Sequence, residues 1–166
     1  QDSSSAASDV YKRQSLEEAQ LFLEIGDLEQ ANALILEATT TLKDNQTVPF
    51  IRGIIAAKLG RFREAIKLFS DTLNFDPTHA RARLNRSSAA LLCDDLAMAL
   101  DDATQLVEER PKHELGRLRR SEILMNQGDW ENAESELREL LKLSHNHSMG
   151  LVHLGTCMIA MGKSEQ

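Results

Sequence analysis

Four turns, Ile25-Gly26-Asp27-Leu28, Leu59-Gly60-Arg61-Phe62, Cys93-Asp94-Asp95-Leu96 and Gln127-Gly128-Asp129-Trp130, each begin 34 residues after the last. A fixed period of that length confines the chain to stacked copies of one supersecondary unit, because so short a unit buries its apolar face only against a neighbour. Other positions keep the same beat. Ala31, Ala65, Ala99 and Ala133 follow their turns at a constant distance, Arg52, Arg86 and Arg120 are in step, and so are His79, His113 and His147.

Between the turns the apolar spacing is helical. Phe62, Ala65, Ile66, Phe69 and Leu73 trace one stripe, which stops at Pro77; Leu96, Ala99, Leu100, Ala103 and Leu106 trace the next, which stops at Pro111. A second helix of about a dozen residues fits between each stop and the following turn, as over 80–92 and 114–126. The period therefore predicts an all-α chain in which every unit is a pair of antiparallel helices.

These residues resemble the tetratricopeptide repeat family, whose 34-residue unit is a helix-turn-helix with small residues at two packing positions and a proline near its end. The alignment predicts repeats over 12–45, 46–79, 80–113 and 114–147, with a partial fifth over 148–166. Gly53 and Gly155 match the family's small residue at the helix crossing, where Ala19, Ser87 and Ser121 also stand. The four in-step alanines match its second-helix alanine, and Phe62 and Trp130 its aromatic position. Leu28 and Leu96 replace that aromatic, Lys43 and His145 the proline, and Asp94 the turn glycine. The resemblance implies a right-handed superhelical solenoid with a concave groove lined by the first helix of each repeat.

Positions two, five, six, nine and twelve of each unit share one helical face, and the resemblance makes them ligand-facing. The peptide-binding groove is thus expected at Phe50, Ile54, Arg81, Leu84, Asn85, Ser88, Leu118, Arg119, Glu122, Val152 and His153. Thr47, Ile51, Ala57, Leu91, Leu115, Met125, Met149, Thr156 and Ile159 also fall on this face, which is apolar for a surface. A contiguous exposed apolar patch marks an interaction site, and arginines beside it in an acidic protein point to a peptide with apolar anchors and a carboxylate. Some relatives clamp the C-terminal carboxylates of heat-shock chaperones, but only Asn85 and Arg119 fit the clamp positions here, which disfavours that ligand.

Charge and motifs exclude other classes. The net charge of -7 and pI near 5.2 argue against nucleic acid, which selects clustered Lys and Arg. No apolar run approaches the roughly 18 residues of a membrane span. Phosphate loops, nucleophile elbows and His-Glu-x-x-His are missing from the sequence, and Asp94-Asp95 read as a helix cap. Neither a catalytic residue nor a cofactor is expected. His79, His113 and His147 are not expected to share a metal, since equivalent places in stacked units lie roughly 10 Å apart and zinc ligands lie within about 2.1 Å of the ion; they read as polar residues opening each new helix. Cys93 and Cys157, far apart in sequence, read as free thiols of a reducing compartment, so a cytoplasmic location is expected.

Residues 1–14 share little with the repeats, and Asp9-Val10-Tyr11-Lys12-Arg13-Gln14 looks like translated sequencing adapter. An unstructured tail is expected there, with the repeat array over 15–166. An array halting in its fifth unit is expected to be a fragment that leaves Leu151, Leu154, Met158 and Met161 partly uncovered. The leading functional expectation is a protein-interaction scaffold. Its rivals are the non-catalytic front of a longer enzyme, such as a glycosyltransferase or sulfotransferase, and a module for oligomerisation.

Overall fold

The computed structural model of the chain describes residues 2–41 and 47–162, with the side chains of 2–9, 12, 13 and 39–41 outside that description. Every regular element among the described residues is an α-helix. In order they are α1 (Asp2–Ile25), α2 (Leu28–Thr41), α3 (Thr47–Lys58), α4 (Phe62–Phe75), α5 (Ala80–Leu92), α6 (Leu96–Glu109), α7 (Glu114–Asn126), α8 (Trp130–Leu143) and α9 (Ser148–Ala160). None of them is long and apolar enough to cross a membrane. The chain divides into two compact units, one up to Ala82 and one from Arg83. In the first, α1 packs on α2, α3 on α4, and α3 also on α1 and α2; in the second, α7 packs on α6, α8 and α9, and α8 on α9.

The tail expected over 1–14 is corrected at residues 2–14, which are the front of α1. No glycine or proline occurs before Gly26, so nothing in the backbone chemistry stops α1 from propagating through this segment. The expected boundary between 45 and 46, and Lys43 beside it, lie outside the described residues.

Each predicted turn closes in one way. The amide of its third residue reaches back to a carbonyl five residues earlier: Asp27 to Phe22 at 2.9 Å, Arg61 to Ala56 at 2.8 Å, Asp95 to Ala90 at 2.9 Å and Asp129 to Leu124 at 2.9 Å. Such a helix ending places the second residue in the left-handed region. Glycine accepts that conformation freely, as Gly60 does at φ 73°, whereas Asp94 is held there at φ 62° with a Cβ that resists it. Asp27, Asp95 and Asp129 then cap the next helix, each carboxylate accepting from an amide three residues on at 3.0, 3.1 and 3.3 Å. Arg61, in step with them, makes no such bond. Of the expected Asp94-Asp95 cap, Asp95 is therefore the capping member and Asp94 the turn residue.

Inside the pairs the in-step alanines are fully buried. Gly53 faces Phe69 so closely that a Cβ would stand 2.6 Å from its ring. Ser87 holds the same place one period on and bonds the Ala99 carbonyl at 2.7 Å, so both solutions keep the crossing helices near contact.

Helices α5, α7 and α9 each begin on a histidine. The Nδ1 atoms of His79, His113 and His147 accept from the amides of Ala82 at 3.1 Å, Gly116 at 2.9 Å and Gly150 at 3.1 Å. The period thus repeats a capping bond, using the acceptor nitrogen of a neutral imidazole where Ser or Asp is usual. Among the described residues no three His, Cys, Asp or Glu side chains gather as a metal site would require.

The second unit also buries charge. Asp102, almost without exposure, takes both oxygens' worth of hydrogen bonds from Arg86, at 2.8 and 2.7 Å, with Arg83 at 3.8 Å. That bond is the main cause holding the Arg86 guanidinium above its usual range against burial. One period later Glu136 accepts from Arg117 at 2.9 Å and from Arg120. In the first unit Arg52 keeps step, but the matching carboxylate position is Leu68.

Two variants test these assignments. Asp94→Gly should raise unfolding free energy by about 1 kcal/mol, the cost of a left-handed side-chain residue, measured as a higher denaturant midpoint at unchanged slope. Asp102→Asn should lower it by about 3 kcal/mol, because two sheltered guanidinium groups lose their counter-charge; an unaltered midpoint would show that the cluster holds nothing together.

Candidate functional site

The first helices α3, α5, α7 and α9 carry the expected site, and their packing decides which of its residues remain open. On α7 the buried positions are Gly116, Ser121, Ile123 and Leu124; on α9 they are Gly150 and Cys157. These lie on the side turned to neighbouring helices. On these two helices positions two, five, six, nine and twelve occupy the other side, as helical geometry requires, whereas on α3 positions five and six, Phe50 and Ile51, are buried.

In the first unit the face is largely closed. Phe50 is only 7% exposed, its ring 6.1 Å from Phe69 and 4.6 Å from the His79 imidazole, with the Arg81 guanidinium 5.3 Å above it. The expectation of Phe50 as an open apolar anchor is corrected: its contact area is spent on His79 and Arg81. Ile54 beside it is half-buried, and Arg81 is exposed.

In the second unit Leu84, Asn85 and Ser88 are half-buried on α5, and the Ser88 hydroxyl is taken by the Leu84 carbonyl at 2.9 Å. Leu118 and Met125 on α7 lean inward onto the cluster formed by Leu124, Ala133, Leu137, Leu140 and Cys157. Leu118 is therefore as much core as surface. The open apolar area comes from residues beside it: Leu115 at 55% exposure on α7, with Met149 at 47%, Val152 at 61% and Ile159 at 70% on α9. The two helices are in contact; Leu115 and Met149 stand at their N-terminal ends, Val152 one turn on, and Ile159 at the C-terminal end of α9.

Polar groups on this face are few and mostly satisfied internally. Arg119 donates through Nη1 to Glu122 Oε2 at 2.6 Å, a pair in which both side chains are mostly sheltered. The Thr156 hydroxyl is taken by the Val152 carbonyl at 3.1 Å. Two atoms differ: Arg119 Nε and His153 Nδ1 are shielded from water and bonded to nothing among the described residues. They stand at position six of consecutive repeats. Helix α9 carries no charged residue at all.

Elsewhere the chemistry is quiet. A cleft of about 250 Å³ opens between α6 and α8 over Arg120 and Glu136, which already satisfy one another. Burial pushes the Cys157 thiol up, and the Glu134 carboxylate adds to it, the opposite of what a nucleophile needs. Both cysteines are free.

The sequence located this face by register alone and missed two things. The Arg-carboxylate clusters had a legible signal, since Arg83 and Arg117 are 34 apart, as are Asp102 and Glu136. The Arg119–Glu122 pair had one too, at helical spacing three.

A family model described as tetratricopeptide repeat matches residues 16–73 and 50–114, together more than half of the chain. A protein STIP1 homolog from Dictyostelium discoideum is 32% identical over 82 residues, which is 49% of this chain and 14% of the relative's length, so the chain spans about a seventh of that protein. Among solved structures, MamA (41-end) from Desulfovibrio magneticus RS-1 superposes with a TM-score of 0.85 at 18% identity, covering 93% of this chain and 87% of its own. YrrB, described as a TPR protein with an unusual peptide-binding site, superposes with a TM-score of 0.79 at 16% identity, covering 99% and 86%. At such identities these likenesses speak for the fold. With the helix pairs and the 34-residue register, the matched repeats make the chain a member of the tetratricopeptide repeat family.

Proposed function

We propose that the chain is a protein-interaction scaffold that binds a peptide or helix segment on the exposed face of α7 and α9, without chemistry of its own. The observation that carries this reading is the group Leu115, Met149, Val152 and Ile159, four large apolar side chains about half exposed or more on two touching helices. Covering such a patch releases water from apolar surface, at roughly 25 cal/mol per Å². YrrB's description as a peptide-binding TPR protein agrees with it by analogy.

The expected carboxylate in the partner has less support than the apolar anchors. Arg119, the cation at the centre of the face, is already neutralised by Glu122, and Arg81 in the other unit is engaged over Phe50. A cytoplasmic location fits two free thiols.

Because Leu118 shares the core, the cleaner probes are Val152→Asp and Ile159→Asp. Each should leave the helical signal and melting temperature unchanged and abolish capture of partners from a peptide library. Capture undiminished by both charges would remove α9 from the binding surface and defeat the proposal.

A further inference from the structure

One turn breaks the charge pattern that the other three keep. Lys58 ends α3, Arg61 stands just before α4, and Arg63 and Lys67 lie one helical turn apart on α4, all four exposed. The positions in step with them are Glu24, Asp27, Glu29 and Ala33 in the first repeat, Leu92, Asp95, Ala97 and Asp101 in the third, and Asn126, Asp129, Glu131 and Ser135 in the fourth. None of those is a cation. The basic group therefore belongs to this repeat alone, and the 34-residue pattern does not require it.

The same residues work against the fold. Arg61 stands where Asp27, Asp95 and Asp129 cap the following helix, so α4 starts without a side-chain cap. A cation there also opposes the positive end of the helix dipole. Glu64 lies 3.9 Å from Arg61 with both side chains well exposed, and such surface pairs contribute little. Lys58, Arg63 and Lys67 take part in no ion pair among the described residues, whereas Arg86, Arg117 and Arg119 each meet a carboxylate. Residues 58–67 thus hold four cations against Glu64 alone, in a chain of net charge -7. Leu59, at 46% exposure, sits among them at the turn.

A partner for this group must bring several carboxylates to a small area, with an apolar contact for Leu59. Guanidinium groups suit carboxylates, which they bind through two parallel hydrogen bonds. A bilayer or a nucleic-acid backbone presents anions over a wide area, and it would also meet Asp27 and Glu29 on the in-step turn one repeat away, roughly 10 Å off. A strip of acidic protein is narrow enough to stay on the cations.

We propose that the Gly60 turn is a second docking surface, on helices other than α7 and α9, and that it takes an acidic segment of a partner protein. The segment's carboxylates pair with Arg61 and Arg63, Lys58 and Lys67 add charge on either side, and an apolar side chain between the carboxylates covers Leu59.

The test is fluorescence anisotropy at low salt with a short labelled peptide of glutamates around a central leucine, beside its glutamine counterpart, on the full chain. Wild type should bind the glutamate probe, release it as salt is added, and ignore the glutamine probe. Arg61→Asp should supply the missing cap and raise the melting temperature while lowering affinity about tenfold, a pair of changes that misfolding does not produce. The double variant Arg63→Glu, Lys67→Glu should lose as much or more, and Val152→Asp should bind as wild type does. Affinity within about twofold of wild type in both charge-reversed proteins would overturn the site, as would a glutamine probe bound equally well. Binding lost by Val152→Asp and kept by Arg61→Asp would move the acidic segment to α9. A glutamate probe left unbound would overturn the protein partner, and retention of phosphatidylcholine vesicles containing phosphatidylserine in that case would assign the turn to a membrane surface.

Discussion

The close crossing of the two helices in each pair is the constraint from which the other features follow. Gly53 admits the Phe69 ring to within 2.6 Å of where a Cβ would be, and Ser87 ties itself to the Ala99 backbone at 2.7 Å. Fully buried alanines line the second helix at the same level. Inside each pair the two helices are joined by a tight turn with a left-handed residue and a five-residue back-bond. The close crossing also commits the small-residue side of the first helix to its partner. What α7 and α9 have left is the opposite side, and that side carries the candidate site.

Much of this was legible in the sequence because it repeats. Turn glycines, in-step alanines and helix stops are local signals, and at 34-residue spacing they reinforce each other. The histidines showed as junction residues, but the capping bond through Nδ1 depends on a ring orientation that spacing does not encode. The burial of Phe50 is not legible for a related reason: the helical register puts it on the ligand-facing side, while its cover comes from His79 and Arg81, which only the folded chain brings over the ring. Leu118 likewise reads as surface by position and as core by contact. The start of α1 at Asp2 is not legible from the repeat pattern, because residues 2–14 share little with it, although they contain no glycine or proline to break a helix.

Charge has two separate duties in the second unit. The Asp102 and Glu136 clusters place carboxylates between arginines from the preceding helix, so each guanidinium is neutralised where it is sheltered and the helices are fixed in register. Arg119 and Glu122 apply the same pairing within one helix of the exposed face. There it leaves the face apolar in effect, even though the sequence alone suggests a cationic groove.

Backbone amide shifts, followed as a selected peptide is added to the isotope-labelled 18.5 kDa chain, test most directly whether the face of α7 and α9 is the working surface. The account predicts changes concentrated at residues 115–125 and 149–159. Changes centred instead on α6 and α8, around the cleft over Arg120 and Glu136, would contradict it.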